Sequence, residues 1–360
     1  MTQWLRYYIL LTLSAITLLV WTYMPHMQIR IGFKDTEGIR NHASNVIEKM
    51  QQNELGSYEE IDLDSTEMKD SSPKSQQNVT EDKEMERMLL FSSTSPFVFM
   101  FGTTAVKVVG SVPTECPLLF VGIHSGPNMA DRRHAMRQTY LQGVDRYIVY
   151  RFILGNPTKD LVDENAKFND MVFINQTERY TPLDSILPYK AATIMVISSR
   201  MTVKPRWLLK TDDDSLVNLY AVLKKLPEFR VDHYYGKCYS NALPIRDTNS
   251  KWFVNRDFWP DNKPYPPFCV GAGYFMSRMA YECAAILIES PWHQYFPRED
   301  VSGGMMMAEC NITATDLAGV YPGGPPKLYR PFLVQHYVKT SEEIHRLWND
   351  VLANEPARLI

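Results

Sequence analysis

With 360 residues, 45% of them hydrophobic and 12% aromatic, the chain can bury one large core or two modest ones, which excludes a disordered or fibrous protein. A formal net charge of -3 offers no basic face for tracking a phosphate backbone, so nucleic acid is not an expected partner.

Residues 1–6 precede an uncharged run of 18 residues from Tyr7 to Met24, ended by Pro25 and His26. That run reaches the length of a membrane-spanning helix, and Trp4, Tyr7, Tyr8, Trp21 and Tyr23 stand where interfacial aromatics gather. A cleaved signal peptide prefers a shorter apolar region and small residues at its cleavage site, whereas Trp21-Thr22-Tyr23-Met24-Pro25 is bulky. The expectation is a transmembrane signal-anchor over 7–24 behind a cytoplasmic tail over 1–6. Charge hardly sets its orientation, with Arg6 and the terminal amine on one side and Arg30 and Lys34 on the other.

Residues 25–95 are expected to form a largely disordered stem. Between Glu48 and Arg87 there are 12 acidic and 5 basic residues and no sustained apolar periodicity, a composition that cannot bury enough apolar surface to offset ordering entropy. From residue 96 to residue 360 a catalytic domain is expected. Apolar runs at Leu118–Ile123, Tyr147–Leu154, Met171–Ile174 and Trp207–Leu209 read as buried strands. Asn128–Leu141, Asp160–Phe168 and Tyr189–Met201 between them read as helices. This alternation predicts an α/β domain on a mostly parallel sheet, with ligands at the carboxyl ends of its strands.

Cys116, Cys238, Cys269, Cys283 and Cys310 all follow the anchor and form no CxxC or His/Cys cluster. Two disulfides and one free thiol in an oxidising lumen fit them better than zinc, with the pairing open. Three glycosylation sequons, at Asn78, Asn175 and Asn311, support a lumenal location.

The sharpest motif is Trp207-Leu208-Leu209-Lys210-Thr211-Asp212-Asp213-Asp214, an apolar strand running into three acids. Adjacent carboxylates repel one another, and a divalent cation that could also hold a diphosphate would neutralise them. Period-two alternation turns Asp212 and Asp214 one way and Asp213 the other. The competing reading is an N-cap cluster for a helix starting near Leu216. A second acidic motif, Arg298-Glu299-Asp300-Val301, precedes Ser302-Gly303-Gly304 and a methionine run. Here an acid could act as general base on a hydroxyl, or cap the helix. In Val270-Gly271-Ala272-Gly273 the glycines could let a flat ligand lie against a strand, or mark a bulge. His336 follows the apolar run Phe332-Leu333-Val334 and could complete a metal site or be structural. The cluster Arg132-Arg133-His134-Ala135-Met136-Arg137 could meet nucleotide phosphates or form a solvated basic face.

Taken together, these segments resemble the β-1,3-galactosyltransferase and β-1,3-N-acetylglucosaminyltransferase family, the Fringe-related inverting enzymes of glycosyltransferase family 31. The likeness covers about Cys116 to Leu352. It runs through Arg132–Tyr140, Phe152-Ile153-Leu154-Gly155, Lys210-Thr211-Asp212-Asp213-Asp214-Ser215-Leu216-Val217-Asn218, the glycine strand from Tyr265 to Ser277, and Glu299-Asp300-Val301. Departures stand at Tyr140, usually Trp, in the segment Asp184–Lys190, and at Ser302 and Gly303.

The resemblance implies a GT-A fold, Mn2+ as metal, a UDP-sugar donor and type II topology in the Golgi membrane. It implies metal ligation by Asp212, Asp214 and His336, with Asp300 as catalytic base. Contacts to substrate are implied for Arg133, Arg137, Asp212, Asp213, Lys251, Trp252, Gly271, Gly273 and Glu299. The expected reaction is an inverting transfer of galactose, or a related N-acetylhexosamine, to a glycan on glycoprotein or glycolipid, forming a β-1,3 linkage. A non-catalytic lumenal glycan-binding or chaperone-like protein that kept the fold is the alternative, and a metal-dependent hydrolase a third reading.

Overall fold

A computed structural model describes residues 96–354 except 117, 145–146 and 325–328. The expected anchor, the stem and the Asn78 sequon lie outside the described residues. Among those described, no helix is long and apolar enough to cross a membrane.

The strands are β1 (Phe97–Phe101), β2 (Thr104–Gly110), β3 (Leu119–His124), β4 (Ile148–Leu154), β5 (Met171–Ile174), β6 (Trp207–Asp212), β7 (Ser215–Val217), β8 (His233–Tyr239), β9 (Phe268–Ser277), β10 (Thr313–Asp316), β11 (Val320–Tyr321) and β12 (Val334–His336). The helices are α1 (Ala130–Gln138), α2 (Lys159–Phe168), α3 (Leu187–Arg200), α4 (Leu219–Lys225), α5 (Arg278–Ile288), α6 (Glu299–Glu309) and α7 (Ser341–Asn354). The main sheet runs β1-β2-β5-β4-β3-β6-β9-β8-β10, and a smaller one runs β11-β12-β7. The domain is thus α/β on a mixed sheet. The expected parallel pairing holds for the central strands β5, β4, β3 and β6, whereas the hairpin β1-β2 and strand β9 join by antiparallel pairing on either side.

Every residue of β3 is buried, as expected of a strand covered on both faces. Leu119, Val121 and Ile123 point to a core shared with Met136 of α1, Val222 of α4 and Leu347 of α7. Full burial of such a side chain is worth about 1.5–3 kcal/mol. On the opposite face α3 packs so closely that a Cβ at Gly122 would stand 2.5 Å from Ile194 Cδ1. Local signals set several helix ends. The Thr158 side chain accepts the Leu161 N–H at the start of α2, and Asn169 closes that helix in the left-handed region at φ 51°.

The helix expected near Leu216 begins later, because Ser215–Val217 is a strand and the Asn218 side chain caps α4 by accepting the Ala221 N–H at 3.1 Å. A satellite core of Val254, Trp259, Tyr265, Phe268, Phe296 and Val301 supports the segment that leads into β9 and the first turn of α6. The expected two disulfides and one free thiol are present, as Cys238–Cys269 across β8 and β9, Cys283–Cys310 between α5 and the end of α6, and buried Cys116.

Candidate active site

Strand β6 delivers Asp212 to the carboxyl end of the parallel core, directly beside His124 of β3. The chain then turns through Asp213 and Asp214 into β7, which pairs antiparallel with β12 so that Ser215 lies opposite His336. That second pairing brings together residues more than a hundred positions apart. One ligand atom each from Asp212, Asp214 and His336 lies within 4.8 Å of the others. Two carboxylates and an imidazole form a donor set that could hold a divalent metal.

Three contacts fix this arrangement. His336 Nδ1 stands 3.2 Å from Asp214 Oδ1 and 3.0 Å from Ser215 Oγ, and the Val338 N–H donates to the Asp214 carbonyl at 2.8 Å. Tyr337, next to the histidine, takes φ 67°, an unfavourable conformation for a bulky residue and one typical of functional sites. Burial raises the Asp212 carboxyl above its ordinary range against the pull of Lys210, and the Asp214 charge adds to the rise. Burial works the same way on Asp214, but the His336 hydrogen bond and the charges of His336 and Arg132 bring that carboxyl below its ordinary range.

Asp213 turns the other way. Its Oδ1 is 3.0 Å from Arg132 Nη1 and its Oδ2 accepts the Gly126 N–H at 3.3 Å, so it clamps the loop after β3. Arg133 and Arg137 also depart from expectation. Arg133 is fully buried, doubly bonded to Glu164 at 2.9 and 2.6 Å, and donates to Ser125 Oγ and the Gly126 carbonyl. Arg137 is held by Asp170 at 2.8 and 2.9 Å and by Glu164 at 2.8 Å. Neither guanidinium is open to a phosphate. Helical phase could have told them apart, since both share the face of buried Met136 and Tyr140. Arg133→Ala should therefore destabilise the fold by about 1.5–3 kcal/mol, because it removes two charged hydrogen bonds and leaves Glu164 with Arg137 alone. Urea unfolding checks this, and an unchanged midpoint would contradict it.

The two glycines of β9 make room for protein rather than ligand. A Cβ at Gly271 would stand 2.7 Å from Glu299 Oε2, and one at Gly273 would stand 2.9 Å from Val334 Cγ1. Glu299 itself is buried, 3.3 Å from Lys210 Nζ, with its other oxygen accepting the Tyr274 hydroxyl at 2.6 Å. Both of its oxygens thus face protein donors.

Asp300 lies in the first turn of α6, partly exposed, and its Oδ1 takes only the N–H of neighbouring Val301 at 2.9 Å. Arg298, not Asp300, is the N-cap. Lys251 links Tyr337, next to His336, with Arg298, next to Glu299, and Trp252 adjoins it. Lys251 Nζ donates to the Tyr337 hydroxyl at 3.0 Å, its carbonyl accepts from Arg298 Nη1 at 3.2 Å, and the indole of Trp252 is 48% exposed. His124 carried no signal in the sequence. It is buried with neither ring nitrogen hydrogen-bonded, 3.7 Å from Asp212 Oδ1, and burial together with Lys210 and Lys190 holds it well below the usual imidazole range. Of the sequons, Asn175 and Asn311 lie exposed on the surface.

Residues 131–318 match the family described as Galactosyltransferase. A β-1,3-galactosyltransferase of Arabidopsis thaliana is 30% identical over 211 residues, 55% of this chain, which spans 32% of that relative's length. Beta-1,3-galactosyltransferase 1 of Mus musculus is 27% identical over 268 residues, covering 68% of this chain and 78% of the relative. Among solved structures, a mannosyltransferase from Pyrobaculum calidifontis in complex with GDP-Man and Mn2+ aligns at 11% identity with a TM-score of 0.34, over 78% of this chain and 66% of that one.

Proposed function

The chain belongs to the galactosyltransferase family, and from that premise we propose that it transfers galactose from UDP-galactose to a hydroxyl of an acceptor glycan, inverting the anomeric centre to form a β-1,3 linkage. The observation that carries this reading is the convergence of Asp212, Asp214 and His336 at the carboxyl end of β6, linked through Lys210 and Glu299 to the first turn of α6, which carries Asp300. The names of the relatives support galactose and the β-1,3 linkage.

Asp212, Asp214 and His336 would hold Mn2+. When bound, the metal supplies positive charge to the departing diphosphate. Asp300 takes the proton from the attacking hydroxyl as the new glycosidic bond forms and the bond to UDP breaks. Lys251 touches Tyr337 and Arg298, the neighbours of His336 and Glu299, and its ammonium and the exposed indole of adjoining Trp252 would suit a phosphate and the apolar face of a sugar. A single displacement needs no protein nucleophile, and we assign none.

The rest of the reading is of the same kind. The domain would have the GT-A fold, the run from Tyr7 to Met24 would anchor it as a type II protein of the Golgi membrane, and the acceptor would be carried by a glycoprotein or glycolipid. Asn175 and Asn311 would be open to glycosylation. The full chain incubated with Mn2+, labelled UDP-sugars and a panel of acceptor glycans tests the central claim. Label should move from UDP-galactose to the 3-hydroxyl of an acceptor. Binding of UDP without turnover would identify a non-catalytic relative, and metal-dependent hydrolysis indifferent to UDP would point to a hydrolase.

A further inference from the structure

Lys210 stands two residues before Asp212 on β6, so alternation turns both side chains the same way. Its ammonium is buried and can donate three hydrogen bonds. The three acceptors present are Asp212 Oδ1 at 2.8 Å, the Gly271 carbonyl at 2.7 Å and Glu299 Oε2 at 3.3 Å. Tyr274, directly opposite Lys210 in the β6–β9 pair, fixes the other oxygen of Glu299. The missing side chain of Gly271 lets these groups meet, since a Cβ there would lie 2.7 Å from Glu299 Oε2 and 3.1 Å from Lys210 Nζ.

Glu299 is followed directly by Asp300 in the first turn of α6. One buried cation therefore ties a carboxylate of the metal cluster to the turn that carries the base. We propose that Lys210 and Glu299 are positioning residues that set the Asp212 carboxylate and Asp300 in one shared geometry, acting through those two residues and touching neither metal nor substrate. This rests on the reading of Asp212, Asp214 and His336 as the metal site and of Asp300 as the base. The sign of the effect follows from the shared ammonium. Without the Glu299 charge, Lys210 bears wholly on Asp212 and competes with a bound cation for that carboxylate. The same change removes a negative charge from the neighbourhood of the site.

The test is Mn2+ binding to the full chain in detergent, read from the electron paramagnetic resonance of free Mn2+ without nucleotide or acceptor. Glu299→Gln keeps the size of the side chain and an oxygen for the Tyr274 hydroxyl. It should weaken Mn2+ binding about 10- to 100-fold, the usual effect of losing a partner of a ligating residue. Its melting temperature in EDTA should stay close to that of the parent chain. At saturating Mn2+ its kcat should remain depressed, because Asp300 is no longer held in register. Gly271→Ala introduces no charge but forces Glu299 away from Lys210, and it should shift Mn2+ affinity in the same direction. Parental Mn2+ affinity in either folded variant overturns the proposal. If the parent chain itself binds no Mn2+, the metal reading falls instead.

Discussion

Asp300→Asn should lower turnover about 10²- to 10⁴-fold, the range a positioned general base contributes, while UDP and Mn2+ binding stay at parental levels. Asparagine keeps the size of the side chain and an oxygen for the Val301 N–H, which Asp300 Oδ1 accepts at 2.9 Å. The start of α6 is therefore preserved, apart from about 0.3–1 kcal/mol lost with a negative charge at a helix N-terminus. What disappears is the ability to take a proton. Initial rates with one acceptor, set beside calorimetric titration with UDP, separate the two quantities, and near-parental turnover would remove Asp300 from the role of base. The contrast with Glu299→Gln is diagnostic. That variant should lose Mn2+ affinity, whereas Asp300→Asn should not.

The second large effect is expected at Asp214. Partners that only orient a ligand are worth about 10- to 100-fold in metal affinity, so removing a ligand in Asp214→Ala should cost at least about 100-fold. The fold should survive, because the Asp214 main-chain carbonyl, not its side chain, receives the Val338 N–H at 2.8 Å. Thermal unfolding offers a readout independent of turnover. A ligand at 100 times its Kd stabilises the native state by about 2.7 kcal/mol, so Mn2+ should raise the melting temperature of the parent chain and leave that of Asp214→Ala unmoved. Equal shifts in both proteins would mean that the cation binds elsewhere.

The strands of the parallel core are legible as short continuous apolar runs, the mark of strands covered on both faces, and such a run alone puts β5 at Met171–Ile174. The hairpin β1-β2 and strand β8 gave weaker signals, since β1 alternates exposed and buried residues over only five positions. At the site, adjacency in sequence exposed the acids but not their partners. Asp212 and Asp214 could be read as one group from their spacing, and the role of Asp213 as a clamp could not, because Arg132 and Gly126 reach it from another element. Arg133 and Arg137 misled for the converse reason. A guanidinium is the same in sequence whether it faces solvent or, as here, a half-buried glutamate and a buried aspartate.

By itself, the sequence determined the α/β class, the acidic turn after a buried strand, the two disulfides with a spare thiol and the resemblance to one enzyme family. These depend on local period, composition and motif order. Only the tertiary structure decided that His336 stands beside Asp214, that Lys210 is shared between Asp212 and Glu299, and that the glycines of β9 accommodate side chains. Such contacts are made by strand pairing between distant segments and by the packing of α6 against β9. Pairing fixes which side chains meet through register, a property of two strands together that neither carries alone.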